Sequence, residues 1–180
     1  MAIPEAGRCI RCMDSPLPVE WCDAWGHYRG SLERLLHAFK FERHDFLDDP
    51  LSELLEFVIR NRGDLDFDSI VPVPMHRSKL RQRGYNQAEL LARALARRLR
   101  IHCDAASLRK RIDRRPQSTL PRSERARNVR GAFVASPRSR DRSILLVDDV
   151  CTTAETLRAC AKALIAAGAA RVCAVVVAKA

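Results

Sequence analysis

Residues 144–157 read ILLVDDVCTTAETL, and this stretch decides the fold. Its continuously apolar start predicts a strand that is covered on both faces. Asp148 and Asp149 come at the end of that strand, and apolar residues at helical spacing follow them. A second apolar run, RVCAVVVA at 171–178, predicts another buried strand. Strand, helix and strand in succession indicate an α/β fold, with a parallel sheet flanked by helices.

The upstream sequence continues this alternation of strand and helix. Residues 26–41 predict a short strand entering a helix, and a second helix follows with Asp48 or Asp49 as its cap. The run FDSIVPVP at 67–74 predicts a buried strand, from which a polar loop leads to a helix over 87–100. We expect all of these elements to belong to one layered domain.

Positive charge is concentrated in the middle of the chain. The net charge is +10, but residues 76–142 hold 20 Lys and Arg against five Asp and Glu, a net of +15. Such a segment favours a polyanionic partner, either a multiply phosphorylated small molecule or a nucleic acid. Within it, the polar stretch at 110–131 is too long for a routine connection and predicts a functional lid or loop.

The sequence lacks the patterns of membrane and exported proteins. It contains no run of about 18 apolar residues, which a membrane-spanning helix would need. The N-terminus does not show the basic-then-apolar pattern of a signal peptide. We therefore expect a cytoplasmic protein without membrane insertion, and the sequence leaves its oligomeric state open.

Residues 1–25 contain cysteine, proline and tryptophan without clear periodicity, which predicts a small N-terminal segment before a main domain at 26–180. Two of its cysteines stand three positions apart, the spacing of a zinc-binding pair. Either a complete zinc site or only part of one is present in this chain. The ligands that such a site would use are Cys9, Cys12 and Cys22, with His27 as a fourth.

The acidic pair and the hydroxyls that follow it form a mixed recognition surface. In α/β sheets, ligands bind beyond the carboxyl ends of the strands, where Asp148 and Asp149 are expected. Their carboxylates would accept hydrogen bonds from ribose hydroxyls, while Thr152, Thr153 and the amides of the helix start would hold a phosphate. The pair also fits a plain turn and cap, or a receiver-type phosphorylation site. The whole string favours a ribose-phosphate ligand.

Four segments of the chain, taken in order, match one known family. They are RGSLERLLHAFKF, VPVPMHRSKLRQRGYNQAELLA, RRPQSTLPRSERARNVRGAF and LLVDDVCTTAETL. They resemble the ComF family of competence-associated, type I phosphoribosyltransferase-like proteins over roughly residues 25–180. The resemblance implies that fold, binding of phosphoribosyl pyrophosphate (PRPP) together with Mg²⁺, and a link to DNA uptake or utilisation. Family members also carry a Cys-rich zinc module.

The resemblance also implies a role for each matching residue. Asp148 and Asp149 would contact the ribose hydroxyls and be the catalytic pair. The loop around the 5-phosphate would comprise Cys151, Thr152, Thr153, Ala154, Glu155 and Thr156. The basic residues facing the pyrophosphate would be Arg77, Lys79, Arg81 and Arg83. The flexible loop closing over the site would include Gln117, Arg122, Arg125 and Asn128.

Ala154 and Glu155 depart from the family signature, which usually has glycine followed by a small residue at these positions. Glycine would let the backbone approach the phosphate closely and adopt a positive φ angle. Glu155 adds negative charge near the expected dianion, unless its side chain points to solvent. These two residues put catalytic turnover in question more than the fold.

Two functions stay open from the sequence. The first, which we favour, is a phosphoribosyltransferase, a glycosyltransferase of a pentosyl group, in which Mg²⁺ and basic side chains stabilise the leaving pyrophosphate. Its acceptor is not named by any motif. The second is a non-catalytic protein on the same fold that senses a ribose phosphate or binds single-stranded DNA. Tyr85 and Phe133 are the only aromatic residues at 76–142, which is weak support for base stacking.

Overall fold

The computed structural model describes residues 17–41, 45–111 and 131–180. Its strands are β1 (Cys22–His27), β2 (Ser69–Pro72), β3 (His102–Cys103), β4 (Leu108–Lys110), β5 (Phe133–Ala135), β6 (Ser143–Cys151) and β7 (Arg171–Lys179). Its α-helices are α1 (Gly30–Phe41), α2 (Asp48–Arg62), α3 (Arg77–Arg83), α4 (Gln87–Leu99) and α5 (Glu155–Ala166). Within this part of the chain, no helix has the length and apolar composition that crossing a bilayer demands.

The main sheet is parallel throughout, as the alternation of strands and helices predicts. Its strand order is β1-β7-β6-β2-β3, and each neighbouring pair runs in the same direction. Strands β4 and β5 form a separate antiparallel pair. Because parallel strands share one direction, the carboxyl ends of β2 and β6 meet at the same edge of the sheet.

Alternate residues of β6 face two different layers. Leu145 belongs to the core that α1, α2 and α4 cover, whereas Leu146 belongs to the core beneath α5 and the β4–β5 pair. Both side chains are fully buried. Since side chains alternate along a strand, Asp148 lies on the α5 side and Asp149 on the α1 side. The two carboxylates therefore reach the end of the sheet from opposite faces.

Strand β6 is longer than its sequence predicts. The apolar run suggests an end at Val147, but pairing with β7 continues through both aspartates to Cys151. Strand β7 stays buried up to Ala178 and offers backbone hydrogen-bonding groups to β6 over this whole length. Asp148 and Asp149 are thus held in the sheet rather than in a turn.

The polar loop predicted between β2 and α4 contains the short helix α3. His76 occupies its N-cap, where Nδ1 accepts a hydrogen bond from the backbone N–H of Ser78 at 3.1 Å. Gly84 ends the helix with a φ of 89°, a conformation that suits glycine. The sequence RSKLRQR has one apolar residue, Leu80, so it carries no periodicity from which a helix could be predicted.

The prediction that Asp48 or Asp49 caps α2 is wrong. A 3-10 turn at Asp45–Leu47 runs directly into the helix, so both aspartates lie in its first turn. Leu47 takes the cap position and forms no side-chain cap hydrogen bond. The aspartates still favour the helix, because negative charge near its N-terminus interacts well with the helix dipole.

The predicted domain boundary at residue 25 falls inside β1. This strand pairs with β7 from Cys22–Ala174 to His27–Lys179. Just before it, Trp21 is buried, and its Nε1 donates to Asp64 Oδ2 at 2.7 Å. Residues 17–25 therefore pack with the sheet, and the rest of the predicted N-terminal segment, residues 1–16, lies outside the described residues.

Candidate functional site

A cavity of about 160 Å³ lies at the carboxyl end of β6. The loop after β2, helix α3, the start of α4 and the last residue of β4 surround it. Asp148 and Asp149 both line it. The basic residues in its lining are Lys40, Lys79, Arg83 and Lys110. Two carboxylates are thus surrounded by four cations that come from three elements, α1, α3 and β4.

Asp149 is almost completely buried and is paired with a lysine from α1. Lys40 Nζ lies 2.9 Å from Asp149 Oδ2. The other carboxylate oxygen, Oδ1, accepts a hydrogen bond from the backbone N–H of Val150 at 2.6 Å. Because buried charged groups need a partner, Lys40 compensates the carboxylate of Asp149 at the end of the sheet.

Asp148 has a different electrostatic environment. Its Oδ1 accepts a hydrogen bond from the backbone N–H of Asp149 at 2.9 Å. Burial and the negative charge of Asp149 raise the pKa of Asp148 well above its ordinary value, although Lys40 acts in the opposite direction. The site therefore holds a proton on Asp148 to a higher pH than an isolated aspartate would.

Residues 85–87 brace the cavity through backbone contacts. Asn86 Nδ2 donates to the carbonyl of Val73 at 3.1 Å and fixes the loop after β2. Gln87 Nε2 donates to the carbonyl of Lys40 at 3.4 Å. Tyr85 Oη donates to the carbonyl of Phe39 at 2.7 Å. Tyr85 and Gln87 therefore connect the start of α4 to the backbone at the end of α1, from which Lys40 reaches Asp149.

Helix α3 divides the four cations predicted to face a pyrophosphate into two pairs. Lys79 and Arg83 are one helical turn apart and line the cavity. Arg77 and Arg81 are exposed, and neither is among the described residues that line the cavity. The structure therefore brings two of the four predicted residues to the aspartates.

The predicted phosphate loop begins where β6 ends. Thr152, Thr153 and Thr156 are exposed beside the first turn of α5. Neither Thr152 nor Thr153 caps this helix. Ala154 is the N-cap residue, with a φ of 59° and no side-chain cap hydrogen bond. The helix starts at Glu155, so the two earlier threonines belong to the turn before it.

Glu155 points its charge toward a neighbour on its own helix. Its side chain is 45% exposed, and its Oε1 lies 3.6 Å from Arg158 Nε. This i, i+3 pair partly compensates the negative charge at the start of α5. The negative charge of Glu155, which departs from the family signature, should therefore weaken phosphate binding less than the sequence alone suggests.

Several predicted residues lie outside the described residues. They are Cys9 and Cys12 of the zinc hypothesis and Gln117, Arg122, Arg125 and Asn128 of the predicted loop. Among the residues that the structure does describe, no group of three or more His, Cys, Asp or Glu is placed to hold a metal ion. A zinc site that uses Cys9, Cys12 and Cys22 stays a prediction.

His27 cannot join Cys22 in one zinc site. The two residues stand at opposite ends of β1, five positions apart. A strand rises about 3.3 Å per residue, which separates them by about 16 Å. Ligands of one zinc ion lie within about 4 Å of each other, since each bond is about 2.0–2.3 Å long. A fourth ligand would have to come from elsewhere.

The second half of the chain matches a known domain family. A family model described as phosphoribosyl transferase domain matches residues 86–180. Competence protein F of Haemophilus influenzae is 32% identical over 167 residues, which cover 88% of this chain and 72% of that protein. The chain belongs to the ComF family. DNA utilization protein YhgH of Escherichia coli K12 is also 32% identical, over 91% of this chain and 74% of its own.

A solved structure resembles this ComF protein more distantly. It is the glutamine PRPP amidotransferase of B. subtilis, complexed with ADP and GMP. The alignment covers 72% of this chain and 26% of that enzyme, at 16% identity and a TM-score of 0.48. In the ComF protein, the matched transferase domain runs from the start of α4 to the end of β7 and contains both aspartates.

Two cations of this ComF protein's site were missed by reasoning from the sequence. Lys40 is the penultimate residue of RGSLERLLHAFKF and lies between two phenylalanines, and this charge at an apolar helix end was the available signal. Lys110 begins a long basic stretch, in which one lysine does not stand out. Its Nζ lies 5.5 Å from the ring centroid of Phe133, a cation–π contact with the neighbouring strand β5.

Proposed function

We propose that this ComF-family protein binds PRPP in the cavity at the carboxyl end of β6. The observation that carries the proposal is the arrangement of Asp148 and Asp149 among four cations, on the strand that leads into the turn before α5. Carboxylates suit ribose hydroxyls, whereas cations and helix-start amides suit phosphates. A ligand with a ribose between a phosphate and a pyrophosphate matches this distribution of charge.

Each part of PRPP has its own group of residues in this proposal. Asp148 and Asp149 accept hydrogen bonds from the ribose hydroxyls. The turn before α5 holds the 5-phosphate with backbone N–H groups and with the hydroxyls of Thr152, Thr153 and Thr156. The cations lining the cavity bind the pyrophosphate, and they are Lys40, Lys79, Arg83 and Lys110.

The two aspartates also fit Mg²⁺. Hard carboxylate oxygens are the donors that this cation prefers, and it usually keeps waters and phosphate oxygens as its remaining ligands. Asp148 and Asp149 would hold it at the end of β6. When bound, Mg²⁺ supplies positive charge to the pyrophosphate. Lys40 then orients Asp149, because the ammonium group fixes one of the two carboxylate oxygens.

We propose phosphoribosyl transfer as the activity, in a protein that serves DNA uptake or utilisation. The transferase domain and the relatives named for competence and DNA utilisation support this combination. The catalytic contribution of the chain would be positioning and electrostatic stabilisation, with the lysines and arginines of the cavity neutralising the leaving pyrophosphate.

Thermal unfolding tests the ligand claim. PRPP with Mg²⁺ should raise the Tm of the protein, because a ligand at 100 times its Kd stabilises by about 2.7 kcal/mol. The shift should vanish in the Lys79→Gln, Arg83→Gln double variant and persist in an Arg77→Gln variant. A Tm that PRPP leaves unchanged in the parent protein would refute the proposal.

A second candidate function is binding of single-stranded DNA. Arg77 and Arg81 favour it, because they are exposed on the face of α3 that is turned away from the cavity lining. The net charge of +15 over residues 76–142 would attract the phosphate backbone. Binding to an oligonucleotide should then weaken steeply as salt rises, and Arg77→Gln with Arg81→Gln should reduce that slope by about two counterions.

A further inference from the structure

Helix α3 has an unfavourable distribution of charge for a helix. Four of its seven residues are Arg or Lys, and none is acidic. These cations form two pairs four positions apart, a spacing at which like charges destabilise a helix. The cations of the first turn also meet the positive end of the helix dipole. Electrostatic repulsion therefore opposes the helical form of this segment.

Burial of apolar side chains does not compensate for this repulsion. No residue of α3 is buried, and its one apolar side chain, Leu80, is 37% exposed. Helices shorter than about 12 residues are marginal in water unless packing supports them. The helical form of α3 therefore depends on the contacts at its two ends, and the loss of one such contact should shift the balance from helix toward coil.

The two ends of α3 are held by different contacts. Gly84, in the left-handed conformation, donates its N–H to the carbonyl of Leu80 at 2.8 Å. At the other end, the N–H of Ser78 donates to His76 Nδ1 at 3.1 Å, and the same nitrogen lies 3.0 Å from Ser78 Oγ. Histidine is not among the preferred cap residues, which are Ser, Thr, Asp and Asn. The imidazole of His76 thus does what an asparagine side chain commonly does.

The helical form of α3 determines how far apart its cavity-lining cations lie. Lys79 and Arg83 line the cavity together with Asp148 and Asp149. Two residues four positions apart are separated by about 6 Å along a helix, but by about 13 Å along an extended chain. The smaller separation allows both cations to contact one pyrophosphate group. Loss of the helix would therefore remove one of them from the ligand.

We propose that His76 is a positioning residue for the pyrophosphate. Its imidazole stabilises the helical form of α3, and that form holds Lys79 and Arg83 at the aspartates. The role toward the pyrophosphate rests on the proposed function, whereas the stabilisation of α3 does not. His76 itself lines the cavity. The competing role is therefore a direct contact between its ring and the ligand, and the variants below distinguish the two.

Amide hydrogen exchange on the ligand-free full chain tests the cap. The N–H groups of Leu80 and Gly84 donate to the carbonyls of His76 and Leu80, so their protection from exchange reports the helical form of α3. His76→Ala should lower this protection about two- to thirtyfold, the range expected for the loss of a helix cap. His76→Asn supplies a preferred cap residue and should retain it. Because no residue of α3 is buried, neither substitution should lower the Tm of the whole protein.

Titration of the same variants with PRPP and Mg²⁺ tests the positioning role. His76→Ala should weaken binding about two- to thirtyfold, because the apparent affinity falls with the population of the competent form. His76→Asn should bind within about threefold of the parent protein. In a Lys79→Gln background, the effect of His76→Ala should shrink, because one of the two cations that the helix positions is gone.

Ser136→Ala is the matched control. Ser136 Oγ accepts a hydrogen bond from the N–H of Arg138 at 3.3 Å and so caps the 3-10 turn Pro137–Ser139. Neither Ser136 nor this turn is among the described residues that line the cavity. Removing this cap should therefore leave PRPP binding and the protection of α3 unchanged.

The two measurements together decide the proposal. Unchanged protection of α3 in His76→Ala would overturn the cap. Equal losses of affinity in His76→Ala and His76→Asn, or an undiminished effect of His76→Ala in the Lys79→Gln background, would indicate direct ligand contact and overturn the positioning role. If PRPP binds the parent protein and His76→Ala equally well, the positioning role fails alone. If PRPP does not bind the parent protein, the proposed function and the positioning role fail together, and hydrogen exchange still decides the cap.

Discussion

Ala154 starts helix α5 in a conformation that suits glycine. Its φ of 59° places it in the left-handed region, which costs a non-glycine residue about 1–2 kcal/mol. Ala154→Gly should therefore stabilise the protein by about 1 kcal/mol, after the greater chain entropy of glycine is subtracted. It should also strengthen PRPP binding, because the backbone loses a methyl group beside the expected phosphate. Urea unfolding and titration with PRPP measure the two effects.

The matched control is Ala167→Gly at the other end of α5. Ala167 has a φ of −84°, so no strain is relieved there. That substitution should cost about 0.5–1 kcal/mol, the usual penalty for glycine. The account of Ala154 fails if both substitutions change the free energy of unfolding in the same direction.

Asp148 makes stability depend on pH. Burial and the charge of Asp149 raise its folded-state pKa well above the ordinary value. The folded protein therefore binds the proton more tightly than the unfolded chain, and this contribution is full below the unfolded pKa of about 4. It is lost as the pH rises through the raised pKa. Asp148→Asn should thus be more stable than the parent at pH 7, and the difference should shrink toward pH 4.

Asp104 provides the opposite case, and urea unfolding at a series of pH values measures the variants of both aspartates. Burial by itself raises its pKa, but hydrogen bonds from Ser107 and from the amide of Ala106 outweigh this effect and lower it. The ionised form therefore stabilises the folded state above pH 4, and this contribution is lost as the pH falls through the lowered pKa. Asp104→Asn should be less stable than the parent at pH 7. Parallel pH profiles for the two variants would contradict this account.

Lys40 is the partner on which the buried charge of Asp149 depends. The two side chains are only 18% and 11% exposed. Removing one member of a buried pair leaves the other charge uncompensated, so Lys40→Met should cost about 3 kcal/mol. Arg93→Met breaks an exposed ion pair with Glu89 and should cost under about 1 kcal/mol. Equal costs in chemical denaturation would show that Lys40 has no special role.

Helix α3 carries two pairs of cations, one that lines the cavity and one on the exposed face. Removing either pair lowers the net charge by the same amount, so the two double variants differ only in the position of the lost charges. Lys79→Gln with Arg83→Gln should weaken PRPP binding by at least about a hundredfold, since the two charged hydrogen bonds together contribute about 3–6 kcal/mol. Arg77→Gln with Arg81→Gln removes the same net charge from the other face. It should change the affinity less than threefold. Similar losses in both double variants would mean that general electrostatic attraction, not position, governs binding.

The elements that the sequence predicted well are those with strong apolar periodicity. Residues 144–147 of β6 and 172–178 of β7 are continuously apolar because both faces of these strands are covered, so their burial is visible from composition alone. Helix α3 has one apolar residue, and its ends are determined by the N-cap residue His76 and by Gly84. Apolar periodicity therefore could not predict it. The end of β6 was missed because its last residues are placed by pairing with β7, which local sequence does not encode.

At the scale of the whole molecule, the cavity is assembled from distant parts of the chain. Asp148 and Asp149 could be assigned from one motif, because a strand end followed by a helix start is a local pattern. Lys40 and Lys110 come from α1 and β4, and only the packing of these elements around the sheet brings them to the aspartates. The sequence therefore predicted the acidic centre and the basic character of the site, but not which cations surround it.

The uneven distribution of charge along the chain also supports an anion-binding cavity at the end of β6. Residues 76–142 carry a net charge of +15, and the remaining residues carry −5. The fold places α3 and β4, from this basic segment, beside the acidic end of β6. A PRPP molecule would then be drawn toward the cavity by the overall field and positioned by the two carboxylates.

Calorimetric titration of the full chain with PRPP and Mg²⁺ tests the central claim most directly. The parent protein should give a saturable heat with about one PRPP per chain, and the Asp148→Asn, Asp149→Asn double variant should bind at least tenfold more weakly. Loss of two hydrogen-bonding carboxylates justifies that magnitude. No heat from the folded parent protein, or equal affinity in the parent and the double variant, would contradict a PRPP site at Asp148 and Asp149.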